Sequence, residues 1–297
     1  MCGLLEEAEH LIHELRLMVH RHDVPFHVDT VGNGHGAAAI VAVVRGDRRS
    51  LGPLAQGAVP MDPTFAVSAS SALAHAAVLT ADEVLIARAL TWEPAETIPL
   101  LRFLSPLNRF HQALAVGDVE RAALFAEHYR RAAEPVPVCR IYPRALLNVA
   151  LLEVGRIGVV ELAVDEGTRL LAQMPRAPYL EVQIHLSRAQ LAAAVGDAAS
   201  ARDAAGRALA IAADHRFAFA AIDAEELVAV AAHIDGASGA ELAELFAGPL
   251  ALRDALGYRA VMVAPRACYD AALAASAPHR VVSPIRPRKI SHSPPTR

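Results

Sequence analysis

A recurring turn constrains this chain more than any other feature. Residues Leu186 to Asp214 read LSRAQLAAAVGDAASARDAAGRALAIAAD, two Ala/Leu-rich segments joined at Val195-Gly196-Asp197, each repeating its apolar residues at helical spacing. This pattern predicts a helical hairpin. Gly196 takes the left-handed conformation that ends the first helix, and Asp197 accepts backbone N–H bonds at the start of the second. Along the second helix, Ala198, Ala201, Ala205, Ala208, Leu209 and Ala212 form a narrow stripe of mostly small side chains that lets a neighbouring helix approach closely. One such hairpin cannot bury both faces, so it needs copies of itself on either side.

The sequence supplies them. Related turns occur at Gly46-Asp47, Gly117-Asp118, Gly155-Arg156 and, in looser form, Asp235-Gly236; the successive turn glycines are 71, 38, 41 and 40 residues apart. The first gap is about two repeats of roughly 36 residues, within the period of helical arrays. A further turn is therefore expected near residue 81, where Thr80-Ala81-Asp82 follows the apolar run Phe65 to Leu79. The fold expected is all-α, a right-handed superhelix of tetratricopeptide-like helical hairpins over residues 1–276, regular from about residue 100 and irregular before it.

In chain order, Leu4 to His22 places Leu5, Ala8, Leu11, Ile12, Leu15 and Met18 along one helical face. Against the repeat it reads as a second helix without its partner. The array would then begin in mid-repeat and leave an apolar face open for self-association. The next helix, about Phe26 to Val44, is weakened by Gly32, Gly34 and Gly36. Residues 48–62 and 83–97 read as short second helices ended by Pro60, Pro63, Pro94 and Pro99. From residue 100 the expected pairs are 100–116 with 119–133, 138–154 with 159–174, 179–195 with 198–213 and 217–233 with 240–256, and a last helix over 261–275 caps the stack. The segment 277–297, with five prolines, many charges and no periodicity, reads as a disordered basic tail.

Composition agrees with thin interfaces. The chain is 54% hydrophobic but only 5% aromatic, so its apolar surface comes from Ala, Leu and Val, as stacked Ala-rich helices require. The formal charge is −4; the tail holds Arg280, Arg286, Arg288, Lys289 and Arg297 without an acid, which leaves the body 23 basic against 32 acidic residues. An acidic body gives no footing for direct DNA binding. Cys2, Cys139 and Cys268 are odd in number and far apart, with no C-x-x-C, which points to a reduced compartment. Acids stand where a signal peptide would be basic, and the most apolar run, Gly36 to Val44, is about half of the roughly 20 residues that span a bilayer. The expectation is a soluble, cytoplasmic protein with no membrane partner.

Candidate chemistry is sparse. His10, His13, His20, His22, His27 and His35 are six of the 14 histidines, and His10 and His13 share a helical face. An all-α metal-dependent enzyme built on them is the alternative reading, but H-L-I-H lacks the form of a zinc motif and supplies no third ligand. Gly32, Gly34 and Gly36 are followed by no G-K-[ST], and the lone lysine, Lys289, sits in the tail. No catalytic residue, metal site or cofactor is therefore assigned. Polar residues within apolar first helices are the better lead, because first helices line the concave face of such a superhelix. Arg109 and Arg188 each lie eight residues before their turn glycine, and Arg144 lies eleven before Gly155. They are the candidate binding residues, a basic stripe for an acidic peptide or anionic ligand.

Residues 186–232 and 243–259 resemble the C-terminal helical repeats of large actinobacterial regulators, namely LuxR-family transcriptional regulators and related ATPase- or adenylate-cyclase-linked proteins. The last repeat there commonly reads A-R-L-L-G-A-A-x-A-L-R-x-x-L-G, which Ala243, Leu245, Ala251, Leu252, Arg253, Leu256 and Gly257 match. Phe246, Ala247, Gly248 and Pro249 depart from it, and Pro249 is expected to kink its helix. The likeness covers about residues 100–275. It implies an ATPase module before such repeats and often a helix-turn-helix domain after them; with neither here, it implies a truncated or split regulator. The function expected is a non-catalytic interaction or effector-sensing module of a transcriptional or signalling regulator, holding a protein or small effector in its concave groove.

Overall fold

The computed structural model describes residues 7–11, 13–14, 38, 41–47, 74–80, 103–135, 144–174, 176–259 and 265–276, and all regular structure among them is helical. The longer helices are α1 (Leu104–Ala115), α2 (Val119–Ala132), α3 (Arg144–Glu153), α4 (Ile157–Leu171), α5 (Pro178–Ala194), α6 (Ala198–His215), α7 (Ala218–Ile234), α8 (Gly239–Leu256) and α9 (Arg266–Ser276). From α5 to α8 the boundaries lie within two residues of those expected. Residues 7–11, 13–14, 41–45 and 74–80 add shorter helical segments. The expected turn at 81–82, the helices at 48–62 and 83–97, Gly32, Gly34, Gly36 and the tail lie outside the described residues.

The turns follow the chemistry read from the sequence. Gly196 has φ +78°, its N–H donates to the Ala193 carbonyl at 3.2 Å, the Asp197 N–H donates to Ala192 at 2.9 Å, and the Asp197 carboxylate accepts from the Ser200 amide at 3.0 Å. The left-handed residue lets two orphan carbonyls of the first helix be satisfied, and the aspartate does the same for a donor of the second. Asp118 caps α2 in the same way, whereas α8 begins with a capping box between Ser238 and Glu241. Pro249 lies inside α8 without ending it.

Each helix packs on the next in sequence, and α3, α5, α7 and α9 also pack on one another in succession. On α6, Ala201, Ala204, Ala205, Ala208 and Ala212 are buried, so the small stripe lies between α5 and α7. Aromatic pairs reinforce these thin contacts: Tyr179 meets Phe217 edge-on at 5.3 Å, and Phe246 meets Tyr269 at 5.8 Å.

The N-terminal segments depart from the expectation. Hairpins stacked ahead of residue 100 would meet α1 and α2, and His75 does stack on His111 of α1, but Val41 and Val44 share a core with Tyr179, Val182, Phe217 and Ala220. Gly46 packs so tightly that an added Cβ would stand 3.2 Å from the Ala218 Cβ and 3.3 Å from the Leu256 Cδ1. The Arg259 N–H donates to the Leu79 carbonyl at 2.7 Å, and Arg45 donates to the His215 carbonyl while pairing with Glu9. The described N-terminal segments thus fold back across α5 to α8. In the first of them Ala8 packs against this same core, while Leu11 is exposed. The face of α5 and α7 toward segments 41–47 and 74–80 is here termed inner, and the face toward the second helices α4 and α6 outer.

Candidate functional site

Buried polar groups gather on the inner face. Asp223 and Glu226 lie one turn apart on α7, and Arg253 of α8 reaches them from below. Glu226, fully buried, takes Arg253 through both Nε and NH2, and the Tyr269 hydroxyl of α9 donates to it at 3.2 Å. Asp223 stands farther from the guanidinium, at 3.7 Å, and accepts from the Tyr258 hydroxyl at 2.8 Å. The Arg253 guanidinium lies 4.1 Å from the centre of the Tyr258 ring. The left-handed turn at Gly257 puts Tyr258 directly beyond α8, which allows this return.

This cluster sets two carboxylates against one guanidinium. Burial raises the Asp223 carboxyl to about 7, with Arg253 opposing the shift and Glu226 adding to it. Burial also works against the charge on Arg253, but the hydrogen bond to Glu226 holds its proton more firmly than usual. Burial pushes the Tyr258 hydroxyl well above its ordinary range.

Near this cluster lies a stacked histidine pair, His75 from the N-terminal segment over His111 of α1, with ring centres 5.2 Å apart. Both rings are buried; His75 Nδ1 and both ring nitrogens of His111 have no hydrogen-bond partner. Burial lowers His75 to about 4, and burial together with His75 lowers His111 well below its ordinary value. Both rings are therefore neutral near pH 7. His75, Gln183 and Asp223 line a cavity together with Tyr179, Phe219 and Tyr258.

The predicted arginines lie elsewhere. Arg109 is exposed on α1. Arg144 is the first residue of α3, and its side chain lies outside the described residues. Arg188 faces outward: its NH2 donates to Thr168 Oγ1 of α4 at 2.9 Å, and it lines a cleft of about 380 Å³ between α4 and α6. That cleft holds Glu161, Asp197 and Asp203 beside Arg188 and Arg207, and Arg207 is paired with Asp203. Its mixed charge does not select for an anion. Tyr179 and Arg188 are nine positions apart, half a revolution, so the face that meets the N-terminal segments cannot also present Arg188.

His10 and His13, on segments 7–11 and 13–14, are exposed, while His20, His22, His27 and His35 lie outside the described residues. Among the described residues no three His, Cys, Asp or Glu side chains converge as metal ligands, and no helix is long and apolar enough to cross a membrane. No family model, curated protein or solved structure matches the chain.

The inner-face cluster was missed from sequence although a signal existed. Aligned on the turn glycines, Glu226 occupies the register of Leu107, Ala145 and Leu186, all buried, and Asp223 occupies that of Leu104 and Gln183. A charged residue at a register that is otherwise apolar needs a partner or a function.

Proposed function

We propose that this chain is a non-catalytic, tetratricopeptide-like helical-repeat module of a transcriptional or signalling regulator, which senses an effector at the inner face of its first helices. In this reading the hairpins form a right-handed superhelix, and residues 41–47 and 74–80 lie over its concave side. The repeated turns, the contacts between successive first helices, and the likeness of residues 186–232 and 243–259 to the repeats of LuxR-family regulators support the architecture. One observation carries the function: His111 is buried with both ring nitrogens unpartnered beside a cavity-lining histidine. Each unpaired buried polar group costs about 1–3 kcal/mol, a penalty that packing alone gives no reason to keep.

The test is His111→Phe, which keeps a ring against His75 and Phe110. Urea denaturation should show the variant more stable by about 1 kcal/mol or more, the mark of a residue held for binding rather than for folding. A loss of stability of that size would sink the reading. Stoichiometric zinc in protein purified without a His tag would contradict it independently and favour a metal enzyme.

A further inference from the structure

We propose that the cavity beside Asp223 is a binding site for a small organic cation, an alkylammonium ion, with the Asp223 carboxylate as its counter-ion. The inference rests on the inner face being the effector site and names the chemistry of the effector. Counted over the positions a water's centre can take, the cavity measures about 40 Å³. A single water needs about 10–15 Å³ by that measure, so the space suits a group of a few heavy atoms.

Its walls select positive charge. Glu226 engages the Nε and NH2 of Arg253, while Asp223, about 15% exposed, lies 3.7 Å from the same guanidinium and keeps one hydrogen bond from Tyr258. The cluster therefore carries one more carboxylate than it has cations among the described residues, and that carboxylate is on the cavity wall. Tyr179 and Phe219 add aromatic rings to the wall, whereas the Tyr258 ring already meets Arg253 at 4.1 Å and the Gln183 Oε1 already accepts from the Ala145 N–H at 3.3 Å.

A bare metal ion is the poorer occupant, because no three His, Cys, Asp or Glu groups converge among the described residues. Val43, Val44, His75 and Leu79 of the same chain form part of its wall, which favours a free ion over a lysine presented by another protein.

The experiment uses the full chain at about pH 8, where Asp223 is mostly ionised. Methylammonium and ethylammonium chloride are titrated by calorimetry against sodium and potassium chloride at matched ionic strength. Saturable binding of the alkylammonium ions alone is expected. Asp223→Asn should weaken it by about 10- to 100-fold, the loss of a charge-assisted contact. The proposal is overturned by absence of saturable binding, by sodium or potassium binding equally well, or by unchanged affinity in Asp223→Asn. If Asp223→Asn does not fold, the outcome rests on the wild-type titration and on Phe219→Leu, which should weaken binding through loss of the ring. The stability of His111→Phe reads the underlying proposal separately. A gain there with no amine binding removes this inference and leaves the effector-face reading standing; a loss there removes that reading.

Discussion

Replacing Arg253 by Met probes the cluster that ties α7, α8 and α9 together. Arg253 is 5% exposed and Glu226 is 0% exposed, so the substitution leaves a carboxylate buried without its cation. Breaking a buried pair from one side typically costs about 3–5 kcal/mol, a large share of the roughly 5–15 kcal/mol that holds a domain folded. Loss of the contact with the Tyr258 ring acts in the same direction. The double change Arg253→Met with Glu226→Leu removes both charges and should be far milder, because exchanging a buried ion pair for apolar side chains is often neutral or stabilising. Asp223 does not spoil this comparison at about pH 6, where its raised pKa keeps it largely protonated. Urea denaturation followed by far-UV circular dichroism at that pH reads all three proteins. The reasoning is refuted if the single variant loses less than about 1 kcal/mol, as for a solvated surface pair, or if the double variant loses as much as the single one.

Gly46 and Gly196 should respond differently to alanine. Both have positive φ, about 1–2 kcal/mol of strain for a side chain, but only Gly46 also crowds Ala218 and Leu256, so its loss in thermal denaturation should be the larger by about 1 kcal/mol or more. Equal losses would mean that residues 41–47 do not pack there. Stability should rise between about pH 4.5 and 6.5. His75, moved from 6.5 to about 4, and His111, also lowered, bind fewer protons folded than unfolded, so their contribution is present above the unfolded value and is lost as pH falls. Asp223, moved from 3.8 to about 7, works the opposite way, losing its contribution as pH rises through that range. Two imidazoles outweigh one carboxyl, and Asp223→Asn should steepen the rise; a falling profile would contradict the buried pair. Arg188→Gln should cost no more than about 1 kcal/mol in urea denaturation, since its one side-chain bond to Thr168 is partly exposed.

The hairpins were legible because their signals are local. Gly117, Gly155 and Gly196 end their helices with left-handed φ, and Asp118 and Asp197 cap the next, so neighbouring residues decide each turn. The placement of residues 41–47 was not legible. Their Gly46-Asp47 turn has the same local form as the others, and only packing against residues about 170 positions later distinguishes it from another step of the array. The arginines show the same division. Their register was readable, but helical spacing gives the angle between side chains and not which angle faces inward, and contacts with Thr168 and α6 decide that for Arg188. Arg253 is legible in the sequence only as part of a family likeness, because its partner Glu226 lies 27 residues away on another helix.

The central claim is that residues 41–47 and 74–80 lie across the inner face of α5 and α7. Hydrogen exchange on the intact chain, read by mass spectrometry, tests it most directly. Peptides covering 74–80 and the Arg259 amide, which donates to Leu79, should exchange nearly as slowly as the buried centres of α5 and α7, because they open with the same core. Fast exchange in 41–47 and 74–80 beside slow exchange in α5 and α7 would contradict the claim and leave the inner face open.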